Sequence, residues 1–233
     1  LLTDHLPLVG IPTTLLMGGE VGKLEEILKE GAGLVFFETP TNPTMEIFDI
    51  REICRLSHSY GALVAVDNTF ASPINQQALA LGADIAVHSA TKYLGGHSDL
   101  TGGALMGPKE VIEPVAPWRK NLGQMMAPEV AALLSRSLRT LPIRVERQNK
   151  TAQAVAEAMR AHPKVARVLY PGLPDFPQHA LARSQMSGFG GMLTLEIKGS
   201  GEDATKVVDG LELIIIAPSL GGPESLATQP MTT

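Results

Sequence analysis

The chain of 233 residues is 44% hydrophobic and 18% charged, enough apolar material to bury a globular core in one large domain or two modest ones. A formal charge of −5, with lysines and arginines scattered, argues against nucleic acid as a partner, because a phosphate backbone calls for a basic excess. Cys54 is the only cysteine, which excludes an intrachain disulfide and makes a reducing, cytoplasmic setting the expectation.

In chain order, β-rich apolar stretches alternate with helical ones, the pattern of a parallel sheet covered by helices. No secretory segment opens the chain. It starts at Leu1 and stops on Met231-Thr232-Thr233 without an element boundary, as expected of a fragment truncated at both ends. Leu-Val-Phe-Phe over 34–37 predicts a strand, followed by a Pro- and Asn-rich loop over 39–44. Ile50, Ile53 and Cys54 sit at i, i+3 and i+4, which predicts a helix over 50–59 and a buried, inert thiol. A strand over 62–66 leads into a loop over 67–73. A short helix over 74–81, closed by Gly82, precedes a third strand over 84–88. Residues 103–106 predict a fourth, outlying strand.

Residues 126–161 read as helical, with Pro142 a kink or a fresh helix start. This region joins two expected domains, 1–143 as part of a larger one and 144–233 as part of a smaller α/β one. In the second, strands over 165–169 and 192–197 flank a Pro/Gly-rich connection, and a helix over 202–211 precedes a strand over 213–217. Runs such as 213–217 are far too short to span a bilayer, so no membrane is expected.

Ligands in open α/β sheets sit beyond the carboxyl ends of the strands. Three successive strand ends deliver the segment from Glu38 to Asn42, then Asp67, then Ser89-Ala90-Thr91-Lys92. Together they offer an amine, a carboxylate and hydroxyls, a set that suits pyridoxal phosphate. Lys92 would hold the aldehyde as a Schiff base and, once released, shuttle protons. Asp67 would keep the pyridine nitrogen protonated. Ser89 and Thr91 alternate around Ala90, so both hydroxyls can face a phosphate. Asn42 would bond the ring hydroxyl. Each has an ordinary alternative, respectively a surface charge, a turn residue, helix caps and a plain Asn-Pro turn; the combination favours one site.

Competing motifs are weak. Gly22-Lys23 lacks the leading glycine and following Ser/Thr of a phosphate-binding loop. His88 and His97 near Asp99 lack zinc-ligand spacing. Asn149-Lys150-Thr151 matches a glycosylation acceptor, which without a secretory signal is chance.

The segments Glu38-Thr39-Pro40-Thr41-Asn42-Pro43, Val66-Asp67-Asn68-Thr69-Phe70, Ser89 to Tyr93, Gly96-His97-Ser98-Asp99 and Ser219-Leu220-Gly221-Gly222 resemble the Cys/Met-metabolism group of pyridoxal-phosphate enzymes. The resemblance implies the type I, aspartate-aminotransferase-like fold, with a mostly parallel central sheet, helices on both faces and a smaller C-terminal α/β domain. It implies the roles given above for Lys92, Asp67, Ser89, Thr91 and Asn42, with Asn42 and Ser219 also near the substrate. It further implies an upstream ring-stacking aromatic, a carboxylate-binding arginine beyond Met231, and dimers paired into tetramers.

Within the group, Asn149 to Ala152, Ala161 to Val165, Tyr170 to Leu173 and Ala217-Pro218-Ser219 are most similar to the plant-type cystathionine γ-synthase branch. Related γ-lyases usually carry glutamate directly before Ser-Leu-Gly, where this chain has Pro218. The implied reaction joins cysteine to an activated homoserine ester. Elimination from cystathionine or methionine is the alternative within the family, and a catalytically incomplete structural relative or fragment is the alternative outside it.

Overall fold

The computed structural model describes residues 3–230. Its centre is a four-stranded sheet in the order β1 (Leu34–Glu38), β2 (Leu63–Asp67), β3 (Ile85–Ser89) and β4 (Gly103–Met106). The first three strands are parallel and β4 is antiparallel at the edge. The expected sheet therefore forms with boundaries shifted by a residue or two.

Helix α1 (Leu24–Lys29) precedes the sheet, and α2 (Ile50–Ser59) is the crossover from β1 to β2. Asp49 caps α2 by accepting a hydrogen bond from the Glu52 backbone at 3.1 Å, which satisfies one of the amides left open at a helix start. Ile50 and Cys54 pack with Val64, Val66, Ala78 and Ala86 in one cluster. Ile50, Val64 and Val66 are fully buried, and each contributes about 1.5–3 kcal/mol by leaving water. Because side chains alternate along a strand, the opposite face carries Leu34, Phe36, Leu63 and Leu105, all substantially exposed. Asp67 shares that second face with Leu63 and Ala65.

The predicted helix over 74–81 is broken. Helix α3 (Ser72–Asn75) stops, Gln76 turns extended, and a single tight turn over Leu79–Leu81 ends at Gly82, which adopts φ 112°. The reason is tertiary: Gln76 is buried and its Nε2 donates to the Thr39 carbonyl at 2.9 Å and to Asn68 Oδ1 at 2.8 Å. Those bonds outweigh the local helical pattern.

After β4 come two short helices, α4 (Lys109–Ile112) and α5 (Ala116–Asn121), then α6 (Pro128–Leu138) and the twenty-residue α7 (Leu141–Arg160). Pro142 stands in the first turn of α7, the fresh start that its missing N–H permits. Strand β5 (Val165–Leu169) pairs antiparallel with β6 (Thr194–Ile197). Between them α8 (His179–Gln185), which the sequence did not suggest, buries Ala182 against Leu173, Phe176 and Met186. Helix α9 (Gly201–Asp209) opens on a reciprocal Ser200–Asp203 cap. The strand expected over 213–217 shrinks to β7 (Ile215–Ile216), whose partner β8 (Leu226–Ala227) is equally short. Among the described residues no helix is long and apolar enough to cross a membrane.

Candidate active site

The carboxyl ends of β1, β2 and β3 lie side by side, since Glu38 pairs with Asp67 and Asp67 with Val87 in the sheet register. Asp67 is half-buried, and its Oδ1 accepts the Thr69 backbone N–H at 2.9 Å. Thr69 Oγ1 in turn accepts the Ser89 N–H at 2.8 Å. The ends of β2 and β3 are thereby stitched together around the carboxylate. The Ser89 hydroxyl is half-buried and makes no side-chain hydrogen bond among the described residues, so it stays available to a phosphate oxygen.

Beyond Ser89 the chain makes one wide turn, Ala90–Leu94, closed by the Gly95 N–H on the Ala90 carbonyl at 2.8 Å. A Cβ at Gly95 would lie 2.7 Å from that carbonyl oxygen, so only glycine fits. Ala90, Tyr93 and Leu94 are buried while Thr91 and Lys92 remain partly open, which turns the amine outward from a fixed base. Lys92 Nζ donates to Ser219 Oγ at 3.2 Å across 127 positions. Thr91 behaves differently from Ser89. Its Oγ1 accepts from the Gly102 N–H at 3.1 Å and donates to the Gly102 carbonyl at 3.4 Å, tying the turn to the approach of β4.

Asn42 sits exposed in the loop after β1, and its backbone N–H donates to Glu38 Oε1 at 2.9 Å. Burial pushes the Glu38 carboxyl pKa upward; the Asn42 N–H opposes this and the neighbouring Asp67 charge adds to it. The sequence places Glu38 at the start of the segment delivered to the site but assigns it no role; its carboxylate holds the Asn42 loop by accepting that backbone N–H.

Other supporting residues were also invisible in the sequence. Arg144 of α7 donates to the Tyr93 carbonyl and to the Ser137 carbonyl, each at 2.9 Å, and its guanidinium lies directly against Gly96. It clamps the far end of the Lys92 turn. Asn68, next to Asp67, donates to the Gln76 carbonyl at 2.7 Å, and Gln185 of α8 donates to Gln76 Oε1 at 3.0 Å and to the Phe48 carbonyl at 3.1 Å. This buried amide network joins the loops after β1 and β2 to the second half of the chain, and satisfied networks of this kind rigidify what they connect.

Cys54 is buried, and burial pushes its thiol pKa up to about 11, so it is an inert core residue. Among the described residues no three His, Cys, Asp or Glu side chains gather as a metal site.

The donor set fits pyridoxal phosphate. A partly open lysine, a half-buried carboxylate and an unpartnered serine hydroxyl converge at the carboxyl edge of the sheet. The backbone of the glycine loop approaches closely enough that a Cβ on Gly221 would lie 2.5 Å from the Tyr93 nitrogen.

Comparison with known proteins agrees. Over 228 residues the chain is 45% identical to cystathionine gamma-synthase 1, chloroplastic, of Arabidopsis thaliana, covering 97% of this chain and 40% of that protein. It is 41% identical to the L-methionine gamma-lyase of Porphyromonas gingivalis, covering 98% of this chain and 58% of that one. The structure superposes on the metB protein of Corynebacterium glutamicum with a TM-score of 0.95 at 38% identity, over 99% of this chain and 60% of that chain. The chain thus spans roughly half the length of the relatives it matches. The profile of the Cys/Met metabolism PLP-dependent enzymes matches residues 1–233, and the chain belongs to that pyridoxal-phosphate-dependent family.

Proposed function

We propose that the full-length protein is a cystathionine γ-synthase, a transferase that joins the thiol of cysteine to the γ-carbon of an activated homoserine ester, the thiol giving up its proton and the γ C–O bond breaking to release the activating acid. Lys92 anchors the cofactor aldehyde, Asp67 meets the ring nitrogen, Ser89 serves the phosphate with its free hydroxyl, Thr91 serves it by turning its proton away from the long 3.4 Å bond to the Gly102 carbonyl, Asn42 serves the ring hydroxyl, and Ser219 lies at the substrate carboxylate. The cofactor, when bound, supplies the electron withdrawal that acidifies the substrate's α-carbon. Lys92 Nζ, once released, carries the proton off that carbon and returns it later, an acid/base role that needs the amine mobile but tethered. Ser219 Oγ, 3.2 Å from Nζ, fixes where the amine rests between transfers.

The observation that carries replacement over elimination is Pro218. Its exposed, apolar side chain stands immediately before Ser219 and offers no carboxylate to the far end of a substrate. The 45% identity to the plant synthase against 41% to the γ-lyase points the same way. The experiment supplies the full-length enzyme with cysteine plus an activated homoserine, and separately with cystathionine alone. Cystathionine should form faster than 2-oxobutanoate in the first mixture; faster release of 2-oxobutanoate in both makes the enzyme a lyase.

The same reading places residues 1–143 in the larger, cofactor-binding domain and 144–233 in the smaller one, with α7 running through the border. It places the enzyme in the cytoplasm as a homo-oligomer, a dimer of dimers. Exposed Trp118, Leu122 and Met125 support burial of that stretch against further protein.

A further inference from the structure

We propose that Gln148 is a positioning residue for the substrate side of the centre: it seats the 219–222 loop on the Lys92 turn, a role that builds on the functions proposed for Lys92 and Ser219. Gln148 projects from α7, and its Nε2 donates to two successive carbonyls of that loop, Gly222 at 3.0 Å and Gly221 at 3.3 Å. Its Oε1 is buried and has no hydrogen-bond partner among the described residues. A buried acceptor left unpaired destabilises the fold, whereas a leucine of similar volume would carry no such penalty and would release only two carbonyls of partly exposed residues, which water can serve. The amide is therefore explained by what its NH₂ holds rather than by stability.

What it holds is a close backbone contact. Gly221 has φ 78°, and a Cβ there would lie 2.5 Å from the Tyr93 nitrogen and 2.9 Å from the Lys92 carbonyl carbon. The loop rests on the Lys92–Tyr93 peptide with no side chain between them. At its far end Ser98 Oγ donates to Glu224 Oε2 at 2.9 Å, over Gly222, where any Cβ would collide with both. That second bond is exposed and weak, and Leu220 adds apolar packing against the cluster of Ala90, Tyr93 and Leu94; Gln148 is the polar tie that fixes the loop's register on the turn. Displacing the loop by about an ångström removes Ser219 from hydrogen-bond reach of Lys92 Nζ, and errors of that size at a reacting group cost affinity and rate.

The test uses the full-length protein and Gln148→Leu. With pyridoxal phosphate bound, the variant should keep the visible band of the wild type and a thermal stability close to it, since the two lost bonds are offset by removal of the unpaired buried Oε1. Its affinity for norleucine, an amino acid with no γ leaving group, read from the spectral change on titration, should fall about tenfold. Without cofactor, backbone amide exchange over 219–222 should accelerate about tenfold while that of 85–94 stays unchanged. Unchanged norleucine affinity together with unchanged exchange overturns the proposal, and so does loss of the cofactor band. If Gln148→Leu does not fold, Gln148→Met, which keeps the unbranched shape but presents no donor to the two carbonyls, gives the same readings. A wild-type protein that never develops a band refutes the cofactor assignment instead, and the exchange experiment still decides the role of Gln148.

Discussion

The two sides of the candidate centre are built differently. The turn carrying Lys92 is fixed by its own backbone, by Arg144 bonded to the Tyr93 carbonyl, and by Ala90, Tyr93 and Leu94 in a buried cluster. The loop carrying Ser219 lies between two-residue strands whose side chains are partly to largely exposed, and it is held by Gln148, by Leu220 at the margin of that same cluster and by a few close backbone contacts. On the function proposed above, cofactor chemistry is set at the end of the sheet, and substrate recognition is attached to it largely by side chains. Stability and substrate affinity should therefore respond to different substitutions.

The largest effect is expected at the junction itself. Lys92→Ala in the full-length enzyme should abolish the visible band of bound pyridoxal phosphate and slow turnover by about 10²–10⁴-fold from the lost proton transfer alone. Unfolding should change little, because Lys92 is only partly buried. An intact band in this variant, read by absorption spectroscopy, would mean that another amine holds the cofactor.

The second contrast is in packing. Ile50 is 0% exposed in the cluster beneath the sheet, whereas Leu213, leading into the Ser219 segment, is 92% exposed. Ile50→Ala should cost about 2–5 kcal/mol through lost transfer energy and the cavity left behind. It should be visible as a lower urea midpoint at unchanged slope.

The sheet was legible because its apolar strands and the i, i+3, i+4 face of α2 are local signals. Once β1, β2 and β3 were read as parallel neighbours, Asp67 and Lys92 followed to one edge. What escaped depended on distant partners. Gln76 leaves its helix for the Thr39 carbonyl 37 positions away and for Gln185 109 positions away, and no window of local sequence contains either. Gln148 and Arg144 look like solvated polar residues on a helix until the turn and loop they hold are in place. Helix α8 was hidden by the Pro- and Gly-rich residues before it. The apolar run over 213–217 overstated a strand whose ladder partner is only two residues long.

The pH response separates the regions again. His88 lies on β3 only 3% exposed, and burial drives its pKa from 6.5 to about 4, with the Asp67 charge opposing weakly. The unfolded chain takes up this proton first as pH falls. The stability from keeping the ring neutral is complete above 6.5 and is lost between 6.5 and 4, amounting to about 3 kcal/mol. Urea titrations at stepped pH should show that loss, and His88→Gln, which cannot titrate, should flatten it.

The smallest expected effect is Leu213→Ala. Its side chain has almost no packing to lose, so unfolding free energy should move by less than about 0.5 kcal/mol. A change comparable to that of Ile50→Ala, measured in the same urea titration, would show that Leu213 is covered in the full-length protein. Its exposure here would then mark a surface that the rest of the polypeptide or a second subunit buries, and the Ser219 segment would be as firmly fixed as the turn it faces.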